Sequence, residues 1–186
     1  MSRQPLLATF ALLALVVVST RSAEAGRRSF GGSGSNYQSN GKFGLGLELG
    51  APTGLNAKLF LAPSRALNFG VGWLYDNYYR NGDGINLYID HLWHPVSLSD
   101  NPTFKLPFFI GVGGTFWSFN DNSNRLNNRY SALGVRVPFG LAFDFNNVPL
   151  DIYIQLTFVV DVFLGNYADR FGPGFQGNVG IRYWFD

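Results

Sequence analysis

The sequence predicts an all-β fold, an eight-stranded antiparallel up-and-down barrel. Eight segments alternate apolar and polar residues, which is the period of a β-strand and not of a helix. Aromatic residues make up 17% of the chain, whereas charged residues make up 14%, against about 25% in an ordinary soluble domain. An export signal precedes these segments. An exported chain that is rich in aromatic residues and poor in charge indicates a transmembrane β-barrel.

Residues 1–25 are predicted to form a secretory signal peptide. Arg3 provides a positive start, residues 6–18 form an apolar run, and Ala23-Glu24-Ala25 is a small-x-small cleavage site. The apolar run is too short to cross a bilayer as a helix. Cleavage after Ala25 leaves 12 of the 14 basic and 11 of the 12 acidic residues. A net charge of +1 argues against nucleic acid as a partner.

The rest of the chain divides into a segment and a barrel. Residues 26–41 are rich in Gly, Ser and Asn and have no periodicity, so we expect a flexible N-terminal segment. Residues 42–186 are predicted to form the barrel. The chain contains no cysteine, which excludes a disulfide framework and a thiolate metal site.

The alternation places the strands in order along the chain. The predicted strands are residues 43–49, 55–61, 67–75, 85–94, 106–117, 133–145, 150–162 and 175–185. Residues 76–84, 118–129 and 165–173 are predicted loops, and a four-residue turn is expected at 146–149. Pro138 lies inside a strand and cannot donate to the ladder, so we expect a β-bulge there.

The two rows of each strand predict which face is outside. One row is bulky and carries no charge, while the other mixes glycines with polar groups. The charges are too few for a water-facing surface, and an eight-stranded barrel is too narrow to enclose so many bulky side chains. We therefore expect the apolar row to face lipid and the charges to line the lumen. These charges, predicted to form a salt-bridge network, are Glu48, Lys58, Asp90, Arg136, Asp144, Asp151, Asp161 and Arg182.

Aromatic residues at the strand ends are predicted to lie at the lipid interface. They are Trp73, Tyr75, Trp93, Phe108, Phe116, Tyr183 and Phe185. The predicted outward loops combine aromatic and arginine side chains, which suit either a ligand or the lipopolysaccharide surface. These candidate contacts are Tyr78, Tyr79, Arg80, Phe119, Arg125, Arg129, Tyr167 and Arg170.

The two histidines of the chain, His91 and His94, are weak candidates for catalysis. Period 2 puts them on opposite faces of one strand, and no serine lies beside them on it. We therefore expect interfacial histidines and no enzymatic activity. The sequence shows no metal-ligand spacing and no cofactor motif.

Several motifs resemble known outer-membrane proteins. The last strand, GNVGIRYWF, resembles the C-terminal insertion signal of bacterial outer-membrane proteins, although Asp186 follows the final aromatic. The region from Gly41 onward resembles the small OmpA/OmpX-type eight-stranded barrels. The stretches GAPTGLNAKLFL, ALNFGVGW, LPFFIGVGG and LGVRVPFGLAF are similar to an uncharacterised family of such barrels. The resemblance implies insertion by the barrel-assembly machinery but no activity.

Together these observations predict a monomer in the outer membrane of a Gram-negative bacterium. An even number of strands places both termini on one side, which we expect to be the periplasm. The predicted role is structural or one of surface interaction, with a lumen filled by the charge network. The alternative is a narrow gated channel for ions or small solutes, and a lipid-modifying membrane enzyme comes third.

Overall fold

A computed structural model describes residues 35–76, 82–121, 128–164 and 171–185. Its regular elements are β1 (Phe43–Gly50), β2 (Thr53–Ala62), β3 (Arg65–Asp76), β4 (Gly82–Asp100), β5 (Phe104–Asp121), β6 (Asn128–Phe145), β7 (Leu150–Leu164) and β8 (Phe171–Phe185). None of the described residues belongs to a helix that is long and apolar enough to cross a membrane.

The eight strands form one closed barrel. Each strand pairs antiparallel with the next, and β8 pairs with β1, so that every strand has two neighbours. The predicted eight-stranded antiparallel barrel is confirmed. We call the end at which β1 begins and β8 ends the terminal end, and the opposite end the loop end. Closure satisfies the backbone groups of every strand edge within the sheet.

The barrel has an apolar outer wall and an inner wall that is polar in its middle, with buried apolar clusters toward both ends. On β7, for example, Asp151 and Tyr153 are buried inside the barrel, whereas Ile152 and Ile154 are exposed on its outside. The same alternation places asparagine, aspartate and arginine side chains inside on neighbouring strands. Because successive side chains of a strand point to opposite faces, one strand supplies both walls.

Several strands are longer than the alternation indicates. β4 continues past Pro95 to Asp100, because the register shifts after Trp93 and again after Ser97 accommodate a segment that we expected to be a loop. β5 reaches Asp121 and β6 begins at Asn128. Phe119 and Arg129, which were expected in the loop between them, are therefore strand residues.

The expected bulge at Pro138 is wrong. The register of β6 against β7 runs without a shift through the pair Pro138–Thr157. On the other side, β6 pairs with β5 at Phe139–Ile110 and again at Arg136–Gly113 in one register. The missing N–H of proline therefore interrupts a ladder bond without inserting a residue, which the long strands on both sides tolerate.

Candidate functional site: the barrel lumen

The inner wall brings most of the predicted lumen charges together. Seven of them have a relative exposure of 2% or less, namely Glu48, Lys58, Asp90, Arg136, Asp144, Asp151 and Arg182. The eighth, Asp161, lies nearer the loop end and is partly buried. Charges inside a space of low dielectric constant are stable only when they are paired or hydrogen-bonded.

Arg182 on β8 is the first centre of this arrangement. Its Nε and Nη2 atoms donate to Oδ1 and Oδ2 of Asp151 at 2.9 and 2.8 Å, which is a bidentate ion pair. Its Nη1 donates to Oδ1 of Asn56 at 3.0 Å. The guanidinium also lies 4.1 Å from the ring centroid of Tyr153. The planar guanidinium of Arg182 thus joins β8 to β7 and β2 at one level of the lumen.

Arg136 on β6 is the second centre. Its Nε lies 3.0 Å from Oδ1 of Asp90, and both side chains have 0% relative exposure. Its guanidinium stacks on Tyr88, 3.7 Å from the ring centroid, and Nη2 donates to the Thr157 hydroxyl at 3.4 Å. β6 is therefore joined to β4 and β7 across the interior.

Glu48 on β1 connects the two centres. Its Oε2 accepts from the hydroxyls of Tyr88 and Tyr153 at 2.8 and 3.0 Å, and from Nδ2 of Asn178 at 2.9 Å. These are the two tyrosines whose rings stack on the arginines. Three hydrogen bonds to one carboxylate oxygen thus tie β1 to β4, β7 and β8.

Two glycines make room for these tyrosines. A Cβ at Gly70 would overlap the ring of Tyr88, and a Cβ at Gly180 would overlap the ring of Tyr153. Gly70 is the register partner of Tyr88 and Gly180 that of Tyr153, so each ring lies over the bare position of the neighbouring strand. The glycines of the inner row thus allow the large polar side chains to interdigitate.

A segment outside the sheet closes the terminal end of the lumen. We call residues 35–41 the strap. Tyr37 of the strap is 3% exposed, and its hydroxyl donates to Oδ2 of Asp144 at 2.8 Å. Its ring stacks on His94 at 5.2 Å and packs against Phe60 at 6.0 Å between centroids. Burial, and then the neighbouring Asp144 carboxylate, raise the pKa of the Tyr37 hydroxyl, so that it remains a donor.

Polar contacts hold the strap on both sides of Tyr37. The backbone N–H of Ser97 on β4 donates to Oδ1 of Asn36 at 2.8 Å. Lys105 on β5 donates to the Gln38 carbonyl at 2.9 Å and to Oδ1 of Asn40 at 2.8 Å. The strap therefore crosses the terminal end and is not free there. The flexible segment predicted over 26–41 stays a prediction for residues 26–34, which lie outside the described residues.

Lys58 and His94 lie directly beneath the strap. The Nζ of Lys58 lies 2.8 Å from Nε2 of His94, and both side chains are buried. The ammonium also lies 4.9 Å from the ring centroid of Phe60 and 5.4 Å from that of Phe109, which are cation–π distances. The prediction of an interfacial histidine is wrong for His94. Its side chain points inward near the end of the barrel, where the strap covers it.

His91 lies on the outer wall, as its opposite parity requires. It is partly exposed and meets the ring of Trp93 edge-on at 4.4 Å. The described residues contain no group of three or more histidine, aspartate or glutamate side chains that could hold a metal ion. The ion pairs and the hydrogen bonds of Glu48 bridge β1, β4, β6, β7 and β8.

The predicted interface aromatics lie on the outer wall wherever their side chains are described. Trp73, Trp93, Phe116, Tyr183 and Phe185 are exposed there, and Phe108 is partly exposed. The side chain of Tyr75 lies outside the part of the chain that the structure describes. Among the candidate loop contacts, Tyr78, Tyr79, Arg80, Arg125, Tyr167 and Arg170 lie outside the described residues, and for Phe119 and Arg129 the structure gives only the strand positions.

Sequence reasoning found the charges of the lumen but missed its neutral members. The sequence assigned Tyr37 of the strap to a flexible N-terminal segment and the histidine under it to the lipid interface. The one signal for Tyr37 was its aromatic ring in a segment rich in Gly, Ser and Asn, which it shares with Phe30. Asn56 and Asn178 complete the hydrogen bonds of Arg182 and Glu48. Nothing in the sequence distinguished them except their place on the inward-facing row of their strands.

Comparison with known proteins identifies the family and supports the fold. A family model described as a protein of unknown function (DUF3996) matches residues 34–183; the chain belongs to that family, and the predicted membership of an uncharacterised family is confirmed. The N-terminal β-barrel domain of Pseudomonas aeruginosa OprF has a similar structure, with a TM-score of 0.59 and 13% identity over 77% of this chain and 98% of that one. No curated protein matches the sequence.

Proposed function

We propose that this DUF3996 protein is an outer-membrane β-barrel with a structural or surface-interaction role and a closed lumen. The observation that carries the proposal is the inverted distribution of its side chains. Ion pairs and hydrogen bonds fill the middle of the interior, and large apolar side chains cover the exterior. A soluble barrel has the opposite arrangement.

The outer wall supports lipid as its surroundings. Leu49, Ile154 and Phe175 have relative exposures of 69%, 52% and 77%, and exposed apolar residues of this kind occur on every strand of the barrel. Soluble monomers do not expose a continuous apolar surface of such extent. In a bilayer the same surface is favourable, because the strands satisfy their backbone groups within the closed sheet.

The aromatic residues of the outer wall mark two levels. Trp73 and Phe116 lie toward the loop end, while Trp93, Tyr183 and Phe185 lie near the terminal end. Aromatic girdles of transmembrane barrels occupy the two membrane–water interfaces in this way. We assign the terminal end to the periplasm and the loop end to the cell surface. On this assignment lipopolysaccharide surrounds the loop end, and the barrel-assembly machinery inserts the chain as a monomer.

The lumen supports a closed barrel over a channel. The arginine pairs and Glu48 cross the middle of the interior, and the strap covers its terminal end. One feature favours the channel alternative. Because the strap lies outside the sheet, its release would leave the strands paired. Even then the ion pairs of the middle would remain in place.

Outer-membrane location is tested by fractionation together with a heat-modifiability gel. We expect the mature protein in the outer-membrane fraction, migrating faster unheated than boiled because the closed barrel resists detergent. A soluble periplasmic protein that shows no gel shift would contradict the proposal.

The closed lumen is tested by recording from planar bilayers that contain purified protein. We expect no steady conductance at any holding potential that the bilayer tolerates. Steady, ion-selective channels would establish the alternative.

The surface-interaction role is tested by replacing the segments between strands at the loop end and measuring binding to host or bacterial surfaces. Binding that survives the replacement would contradict this role.

A further inference from the structure

The outer wall carries a basic group at the margin of its terminal end. Arg65 is the first residue of β3, and its register partner is Trp93 on β4. Because paired residues of antiparallel strands point to the same face, the exposed Arg65 side chain emerges beside the exposed indole of Trp93. The next positions inward along both strands are Leu67 and His91, which are also paired.

The position of Arg65 is unusual for the wall on which it lies. β3 is apolar on its outer row from Leu67 to Trp73. Among the described residues no carboxylate forms an ion pair with Arg65 and no group accepts a hydrogen bond from it. His91 lies one pair further along the two strands, opposite Leu67. Arg65 thus emerges at the end of an apolar row without a counter-charge from the described residues.

We propose that Arg65 binds the phosphate of an anionic phospholipid in the leaflet that surrounds the terminal end, with Trp93 and His91 completing the site. The inference rests on the proposed insertion into a membrane. A guanidinium presents two parallel N–H groups that match a phosphate, and an indole favours the headgroup level. The exposed Leu61 and Ile110 lie on the strands that flank β3 and β4 and offer an apolar surface for the acyl chains.

A lipid phosphate explains the position better than water does. Arginine on the lipid face is tolerated close to the interface, where its cost is far smaller than at the middle of the bilayer. A solvated arginine needs no particular neighbour, whereas Arg65 pairs in register with Trp93, whose ring contacts that of His91. A negative surface attracts basic side chains near it in general, so the test must separate a site from that general attraction.

Lys42 provides the matched control. It is exposed at the same end of the barrel and carries the same charge, but it precedes β1 on the row of the inward-facing Gly44. Arg65→Gln and Lys42→Gln therefore remove one positive charge each from the same end. Arg65→Lys keeps the charge and removes the bidentate geometry.

The experiment measures lipid retention by native mass spectrometry. Each variant is reconstituted with equal amounts of phosphatidylglycerol and phosphatidylcholine and is then released into detergent. We expect the wild-type protein to retain phosphatidylglycerol selectively, Arg65→Gln to lower that retention about tenfold, Arg65→Lys to lower it less, and Lys42→Gln to leave it unchanged. Added inorganic phosphate should not displace the lipid, which separates a lipid site from a site for the free ion.

Three results would overturn the inference. They are equal retention of both lipids by the wild type, an unchanged retention in Arg65→Gln, and an equal loss in Lys42→Gln, which would reveal general electrostatic attraction. The heat-modifiability gel of each reconstituted variant distinguishes this failure from that of the proposed function. A barrel that inserts and shifts on the gel but does not select lipid refutes the lipid site alone, whereas a chain that does not insert refutes the function.

Discussion

The middle and the terminal end of the lumen are closed by different means. In the middle, strand residues form ion pairs, with Arg182 on Asp151 and Arg136 on Asp90. At the terminal end, the strap lies across the opening, and Tyr37 is held by one hydrogen bond and by stacked rings. The middle therefore contributes to the stability of the sheet itself, whereas the strap is a separable cover.

The largest effect is expected from breaking an ion pair of the middle. Arg182→Met leaves the Asp151 carboxylate buried without its cation, and breaking a buried pair in this way costs about 3–5 kcal/mol. We expect that loss in the free energy of unfolding, measured by urea titration of the refolded barrel with the gel shift as readout. The double variant Arg182→Met, Asp151→Leu should recover most of the loss, because it removes both charges. A single variant as stable as the wild type would show that the pair does not hold the sheet.

A smaller effect is expected from filling a bare position of the inner wall. A Cβ at Gly70 overlaps the ring of Tyr88, which is already fixed by Arg136 and Glu48. We expect Gly70→Ala to destabilise the barrel by about 1–3 kcal/mol through overpacking. Gly114→Ala is the control, because Gly114 lies on the outer row and its Cβ would make only an ordinary contact, 3.8 Å from the Gly134 carbonyl oxygen. If both variants unfold at the same urea concentration, the ring of Tyr88 is not tightly packed against position 70.

The smallest effect is expected at the strap. Tyr37→Phe removes the hydrogen bond to Asp144 and should lower the free energy of unfolding by about 1 kcal/mol. Tyr183→Phe on the outer wall is the control and should change it by less than about 0.5 kcal/mol.

Access to the terminal end separates the cover from the sheet. The chain has no cysteine, so Ala142→Cys, which lies two residues before Asp144 on the inner row, reports exposure to a small thiol reagent. We expect Tyr37→Ala to speed that labelling several-fold while the urea midpoint of the sheet changes little. Labelling that remains slow would mean that the middle, and not the strap, excludes the reagent.

The charges in the middle of the lumen could be predicted from the sequence, whereas the strap could not. Period-2 alternation placed eight strands and the inward charges, because parity depends only on local backbone geometry. It could not place the strap, whose binding site is made by residues from β2, β4, β5 and β6. It also misplaced His94, because its partner Lys58 is 36 residues away and neither residue carries a motif. Pro138 suggested a bulge from a local rule that the long register of β6 and β7 overrides.

The strap also has a consequence for the order of assembly. Tyr37 is made before any strand, yet its partner Asp144 lies 107 residues later in the chain. Phe60 and His94, which contact its ring, come from two further strands. This binding site exists only after the sheet has curled far enough to bring the three strands together, and the entropy of closing so long a loop opposes earlier docking. Tyr37 therefore docks late, and its burial is a marker that can be used to time the final stage of folding.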